Sequence, residues 1–218
     1  MDAPEGRPTR PLASVVEIVA LTALVLSYLW LWQGAFRGHA LVLAVMVIPL
    51  LVWSHRRNGE GFARIGFRLD NLGRSAMSVG LVLGSLVLLV LLAGAVTGGL
   101  AFPPLECWPA SLGWLILGGI LQQYVLAGFY YRRFSDLLPD TWTSYLAAAA
   151  IFALAHLPNP FLLVLTPVVG FLSCWLYRRA PNLWILGLAH GVLSFCLYYG
   201  LPRSLTFGLR VGPSFFQP

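Results

Sequence analysis

Three groups of polar side chains interrupt the apolar second half of this chain. They are Gln122-Gln123 in LQQYVLAGFYYRR, His156 in IFALAHLPNP and His190 in LWILGLAHGVLSF. An imidazole takes up or gives a proton near neutral pH, and an amide orients water or donates a hydrogen bond without acting as a base. Side chains of these types are the reagents of acid–base chemistry on a polar bond. Each group lies within or at the end of an apolar run, where polar side chains are costly in a bilayer and mark functional sites. His190 sits in the middle of Leu183–Leu201, between Gly187 and Gly191, with Ser194 one helical turn on. His156 closes Phe152-Ala-Leu-Ala-His156, and Asn159 follows it past Pro158. Phe152 shares the helix face of His156. Adjacent helical residues point about 100° apart, so Gln122 and Gln123 need two separate sets of partners. Taken singly, each group also reads as structure: an interfacial histidine, a buried histidine satisfied by one carbonyl, or amide glue between helices.

The elements that hold these residues must be membrane helices. The chain has 218 residues, of which 58% are hydrophobic and 10% charged, and its mean hydropathy is +0.78. A soluble domain carries about 25% charged residues. An all-α, polytopic bundle follows, with seven expected spans: Leu12–Gln33, His39–Trp53, Ser75–Leu100, Leu112–Tyr131, Thr143–Leu157, Phe161–Tyr177 and Leu183–Leu201. A span takes about 20 apolar residues, so the second, fifth and sixth are short. The run through Trp32 is too long for a signal peptide. Residues 1–11 and 203–218 read as tails on a single membrane domain.

All 14 basic residues are arginine. Arg7, Arg10, Arg56, Arg57, Arg64, Arg68, Arg74, Arg132, Arg133, Arg178 and Arg179 fall on one side of this topology, and Arg37, Arg203 and Arg210 on the other. The positive-inside rule then places the N-terminus in the cytoplasm. Basic residues at span ends form no nucleic-acid patch. Gly80 with Gly84, Gly94 with Gly98, and Gly187 with Gly191 allow close helix approach. Cys107, Cys174 and Cys196 form neither a metal spacing nor an even disulfide set.

The order of the three groups resembles the CPBP family of CAAX proteases and bacteriocin-processing (Abi) enzymes. That family carries Glu-Glu-x-x-x-Arg-Gly, then Phe-x-x-x-His, then His-x-x-x-Asn or a small residue. Here Gln122-Gln123-Tyr-Val-Leu-Ala127-Gly128, Phe152-x-x-x-His156 and His190-x-x-x-Ser194 stand in those places. Ile65-Gly66-Phe67-Arg68 resembles the segment that precedes the family core, and the likeness covers roughly residues 60–200. It implies an intramembrane endopeptidase in which a glutamate, helped by histidines, activates water, and it places the chain in a membrane, a bacterial inner membrane by expectation.

The departures lie at the centre of that chemistry, because both glutamates are glutamine and the arginine is Ala127. None of the acids Asp2, Glu5, Glu17, Glu60, Asp70, Glu106, Asp136 and Asp140 falls inside the last four spans. The residues expected to act are His156, His190, Gln122 and Gln123, in a cavity with Phe152, Asn159, Ser194 and Ala127. The client is a membrane-anchored or C-terminally tagged protein or peptide, with no cofactor and no nucleic acid. Two alternatives remain. One is a pseudoprotease that binds a client without cutting it. The other is a b-haem electron-transfer protein with His156 and His190 as axial ligands, against which stand their unequal depths. Two histidines without a carboxylate or cysteine make an incomplete zinc site.

Overall fold

The computed structural model describes residues 11–34 and 40–217, and these form helices and turns without strands. His39, expected to open the second span, and Arg7, Arg10 and Arg37 of the orientation argument lie outside the described residues. Helix α1 (Pro11–Ser27) continues as a π-helical turn, Tyr28–Trp32. Then come α2 (Ala40–Arg57), α3 (Leu72–Thr97) and α4 (Trp108–Gln123). A π-helical stretch, Tyr124–Tyr131, joins α4 to α5 (Arg132–Leu137). Then follow α6 (Thr141–Leu154), α7 (Pro160–Arg179), α8 (Leu183–Gly200), the single turn α9 (Arg203–Thr206) and two 3-10 turns, Phe207–Leu209 and Gly212–Phe216.

Five stretches are long and apolar enough to cross a membrane: Pro11–Trp32, Leu72–Thr97, Leu105–Leu137, Pro160–Arg179 and Leu183–Gly200. The expected span at Thr143–Leu157 corresponds to α6, which has 14 residues. Two of the turns that orient the site helices are set by capping asparagines. Asn159 Oδ1 accepts from Leu162 N at 3.1 Å with Pro160 in the first helical position, and Asn182 Oδ1 accepts from Ile185 N at 3.0 Å. Such caps satisfy backbone donors that the first helical turn leaves without partners.

The closest packing brings α4 against α8. In lipid, helices associate through close contact of small residues rather than by hydrophobic exclusion of water. Gly119 lies over Gly187 and Gly191, so close that a Cβ at 119 would stand 2.5 Å from Gly187 O. The glycine pair that flanks His190 in sequence therefore admits α4. Gly94 likewise seats the Gly200 carbonyl, whereas nothing lies within 4 Å of a Cβ built at Gly80 or Gly84. Before α3, Ile65-Gly66-Phe67-Arg68 docks on the α7–α8 turn. Leu183 N donates to Gly66 O at 2.8 Å, Tyr177 Oη to Ile65 O at 2.8 Å, and Asn182 Nδ2 to Arg68 O at 2.8 Å.

Residues 203–217, expected as a tail, fold back on the bundle. Asn159 Nδ2 donates to the carbonyls of Thr206 and Arg210, both at 3.0 Å, and Gly212 N donates to Leu157 O at 2.7 Å.

Candidate active site

Helices α1, α2, α4, α6, α7 and α8 and the carboxy-terminal segment enclose a chamber of about 370 Å³. Its wall is mostly apolar. The polar side chains that reach it are Thr22, Gln122, Tyr130, His156, Thr166, His190 and Ser194. The structure thus brings Gln122, Phe152, His156, His190 and Ser194 together on one cavity, from three helices and the turn after α6.

Gln123 points elsewhere, as the 100° between neighbours requires. It is 1% exposed and approaches His190 from outside the chamber, with Nε2 3.1 Å from His190 Nδ1 and 3.3 Å from Ser173 Oγ. Its Oε1 is buried without a partner. In this orientation the Nε2 amino group has two donors, one for His190 Nδ1 and one for Ser173 Oγ. His190 Nδ1 then accepts, and its proton sits on Nε2. His156 has the opposite tautomer. Its Nδ1 lies 2.7 Å from the Phe152 carbonyl, which can only accept, so the proton is on Nδ1 and the Nε2 lone pair is free to accept. The Phe152 ring packs against both imidazoles, with centroid separations of 4.6 Å to His156 and 6.1 Å to His190. In their neutral forms the two rings offer one cavity an imidazole acceptor and an imidazole donor.

Two expected cavity residues do other work. Asn159 is 0% exposed and does not line the chamber; its side chain caps α7 and ties down the carboxy-terminal segment. Ala127 is fully buried in the helix core, on the π-helical stretch, and also stands away from the chamber wall. A π-helix has a wider turn than an α-helix, which shifts the facing of the residues after Gln123.

A second polar cluster joins residues far apart in sequence. Glu17 Oε2 accepts from Arg133 Nε at 2.8 Å and from Ser54 Oγ at 2.7 Å. Arg133 Nη2 donates to Glu60 Oε2 at 2.8 Å, His55 Nδ1 donates to the same oxygen at 2.7 Å, and Arg132 Nε donates to Glu60 Oε1 at 2.9 Å. Arg133 is 1% and Glu17 3% exposed. Burial opposes ionisation of Glu60, but hydrogen bonds from His55 and Arg133 and the charges of Arg132 and Arg133 outweigh it and hold the carboxyl below the usual carboxylate range. His55 stacks on Tyr124, next to Gln123, at 5.5 Å. This cluster anchors the far end of the π-helical stretch and takes Glu17 and Glu60 out of contention as chamber bases. Glu106 is exposed. Among the described residues no carboxylate lines the chamber, and no three His, Cys, Asp or Glu side chains converge as a metal-ligand set.

Residues 104–196 match the Rce1-like family. The family is described as type II CAAX prenyl endopeptidase Rce1-like. No curated protein and no solved structure gives a significant match. The Rce1-like stretch runs from just before α4 into α8 and contains Gln122, Gln123, Ala127, Phe152, His156, Asn159, His190 and Ser194. The chain thus carries a stretch similar to CPBP-type CAAX proteases within a bundle that has five helices long and apolar enough to cross a membrane. Glu17, Ser54, Glu60 and the carboxy-terminal segment all lie outside the Rce1-like stretch.

Proposed function

We propose that this protein is an intramembrane endopeptidase in which a pair of neutral histidines replaces the glutamate base. Its client is a membrane-anchored or C-terminally tagged protein, presented in the chamber as an extended peptide. The observation that carries the reading is the placement of His156 and His190 on one cavity wall, with Nδ1 of His156 on the Phe152 carbonyl and Nδ1 of His190 beside Gln123 Nε2. Water held beside Gln122 attacks the scissile carbonyl carbon while His156 Nε2 takes its proton. His190 Nε2–H donates to the oxygen that becomes the oxyanion. The C–N bond then breaks as the protonated His156 returns its proton to the leaving nitrogen, giving a carboxylic acid and an amine. A positioned base is worth about 10²–10⁴-fold, and one oxyanion donor about 10²–10³-fold. Gln123 acts through His190, as a positioning residue that fixes its tautomer.

A second reading, that the chamber holds a client without cutting it, is favoured by the absence of a carboxylate from the wall among the described residues. Both readings place the chain as one membrane domain with seven spans and a cytoplasmic N-terminus, in a bacterial inner membrane. The Arg bias supports that orientation. The test uses the full chain in liposomes with candidate membrane-anchored proteins that share a C-terminal tail. Cleavage that disappears in both His156→Ala and His190→Ala supports the histidine mechanism. Cleavage that survives both substitutions refutes it. Client capture by the wild-type protein without turnover selects the second reading.

A further inference from the structure

The wall of the chamber is completed by a segment outside the Rce1-like stretch. Leu209 and Val211 line the cavity beside residues of α1, α7 and α8. Leu209 packs with Leu193 and Leu197, which follow His190 by one and two turns.

This wall is held rigidly. The Asn159 amide, itself fully buried, grips the carbonyls of Thr206 and Arg210, on either side of Leu209. Gly212 N donates to Leu157 O at 2.7 Å, just past Val211. Gly212 has φ +58°, and a Cβ there would stand 2.8 Å from Leu29 O, so the segment sits directly on the π-helical turn of α1. Between the two tethers the backbone takes a left-handed course through Phe207 (φ 53°), Gly208 (φ 63°) and Leu209 (φ 55°). Side chains other than glycine seldom adopt that conformation, and bulky ones persist there only when the surroundings over-determine it. The result turns Leu209 into the chamber and keeps it there.

We infer that Leu209 and Val211 are specificity-determining residues, setting the largest client side chain the chamber admits. This rests on the reading of the chamber as a client site, but the wall itself can be tested without any client. A rigid apolar wall discriminates by size, whereas a mobile one would yield to any ligand. No charged residue lines this side of the cavity, so size rather than charge is what the segment selects.

The experiment uses the full chain in detergent with Cys107→Ser and Ser194→Cys. That background removes the exposed native thiol and leaves the buried Cys174 and Cys196. The probes are methyl and benzyl methanethiosulfonate, which react by the same displacement, forming a methyl or a benzyl mixed disulfide at residue 194 and releasing the same methanesulfinate. Leu209→Ala should raise the benzyl rate at least about tenfold, the scale on which apolar pockets discriminate single methylenes, and leave the methyl rate unchanged. Leu209→Phe should lower the benzyl rate and again spare the methyl rate. Unchanged benzyl rates, or parallel changes for both reagents, would overturn the inference. Labelling of Cys174 and Cys196 identifies an unfolded variant, and the remaining variant then decides. A chamber that passes this test but neither cuts nor captures a client would refute the proposed function and leave the wall intact.

Discussion

The α4–α8 crossing ties the fold to the site, and a single methyl group should break both. A Cβ at position 119 would lie 2.5 Å from Gly187 O and 2.9 Å from Gly191 N, and neither is the movable end of a side chain. Ordinary contact begins near 3.4 Å, so Gly119→Ala must push the helices apart by roughly 0.9 Å. The Gln123–His190 hydrogen bond spans this crossing at 3.1 Å and would stretch beyond the bonding limit. Overpacking costs about 1–3 kcal/mol, and alanine returns about 0.5–1 kcal/mol over glycine within a helix. Relative to an alanine placed in open space on the same helix, the net loss should be about 1–3 kcal/mol, read as a lower unfolding midpoint by circular dichroism in detergent. Gly113→Ala is the control: it lies on the same helix with nothing within 4 Å, and should be neutral or slightly stabilising. The reasoning is refuted if Gly119→Ala is as stable as Gly113→Ala.

Two further outcomes follow from the ion cluster. Arg133→Met leaves Glu17 buried without its strongest partner and should cost about 3–5 kcal/mol. Adding Glu17→Gln should recover part of that loss in thermal unfolding, and a double variant no better than the single one would contradict the pairing. Because Glu60 is held below the usual carboxylate range, its contribution is fully present above about pH 4.5 and fades only as pH falls toward the folded value. Stability should therefore be insensitive to Glu60 between pH 7 and 5, and Glu60→Gln should flatten the decline below that. A Glu60-dependent loss already between pH 7 and 5 would reverse the sign of the argument.

What could be read from the sequence was what local pattern carries. Apolar runs gave the long helices, and the helical angle between Gln122 and Gln123 sets the two on different faces. Gly187 and Gly191 marked a close crossing because only small residues allow one. The rest depended on long-range geometry. Arg132 and Arg133 looked like positive-inside charges at a span end, with nothing local to pair them with Glu17 or Glu60 more than 70 residues away. Asn159 looked like a cavity amide, yet Pro160 after it also makes a helix start, and that role prevailed. Ala127 was placed by its position in the motif, and the π-helical Tyr124–Tyr131 carries it into the helix core. Ser204–Phe216 reads as a tail because short turns rich in Gly and Pro have no period to detect.

The proposed chemistry requires two neutral histidines of opposite tautomer in the chamber. It can be tested by recording ¹⁵N chemical shifts of the ring nitrogens in histidine-labelled full-length protein at pH 7. With only four histidines in the chain, His156→Gln and His190→Gln suffice to assign the two chamber signals. His156 should show a protonated Nδ1 with bare Nε2, and His190 a protonated Nε2 with bare Nδ1. The same tautomer at both positions, or an imidazolium at either, would contradict it.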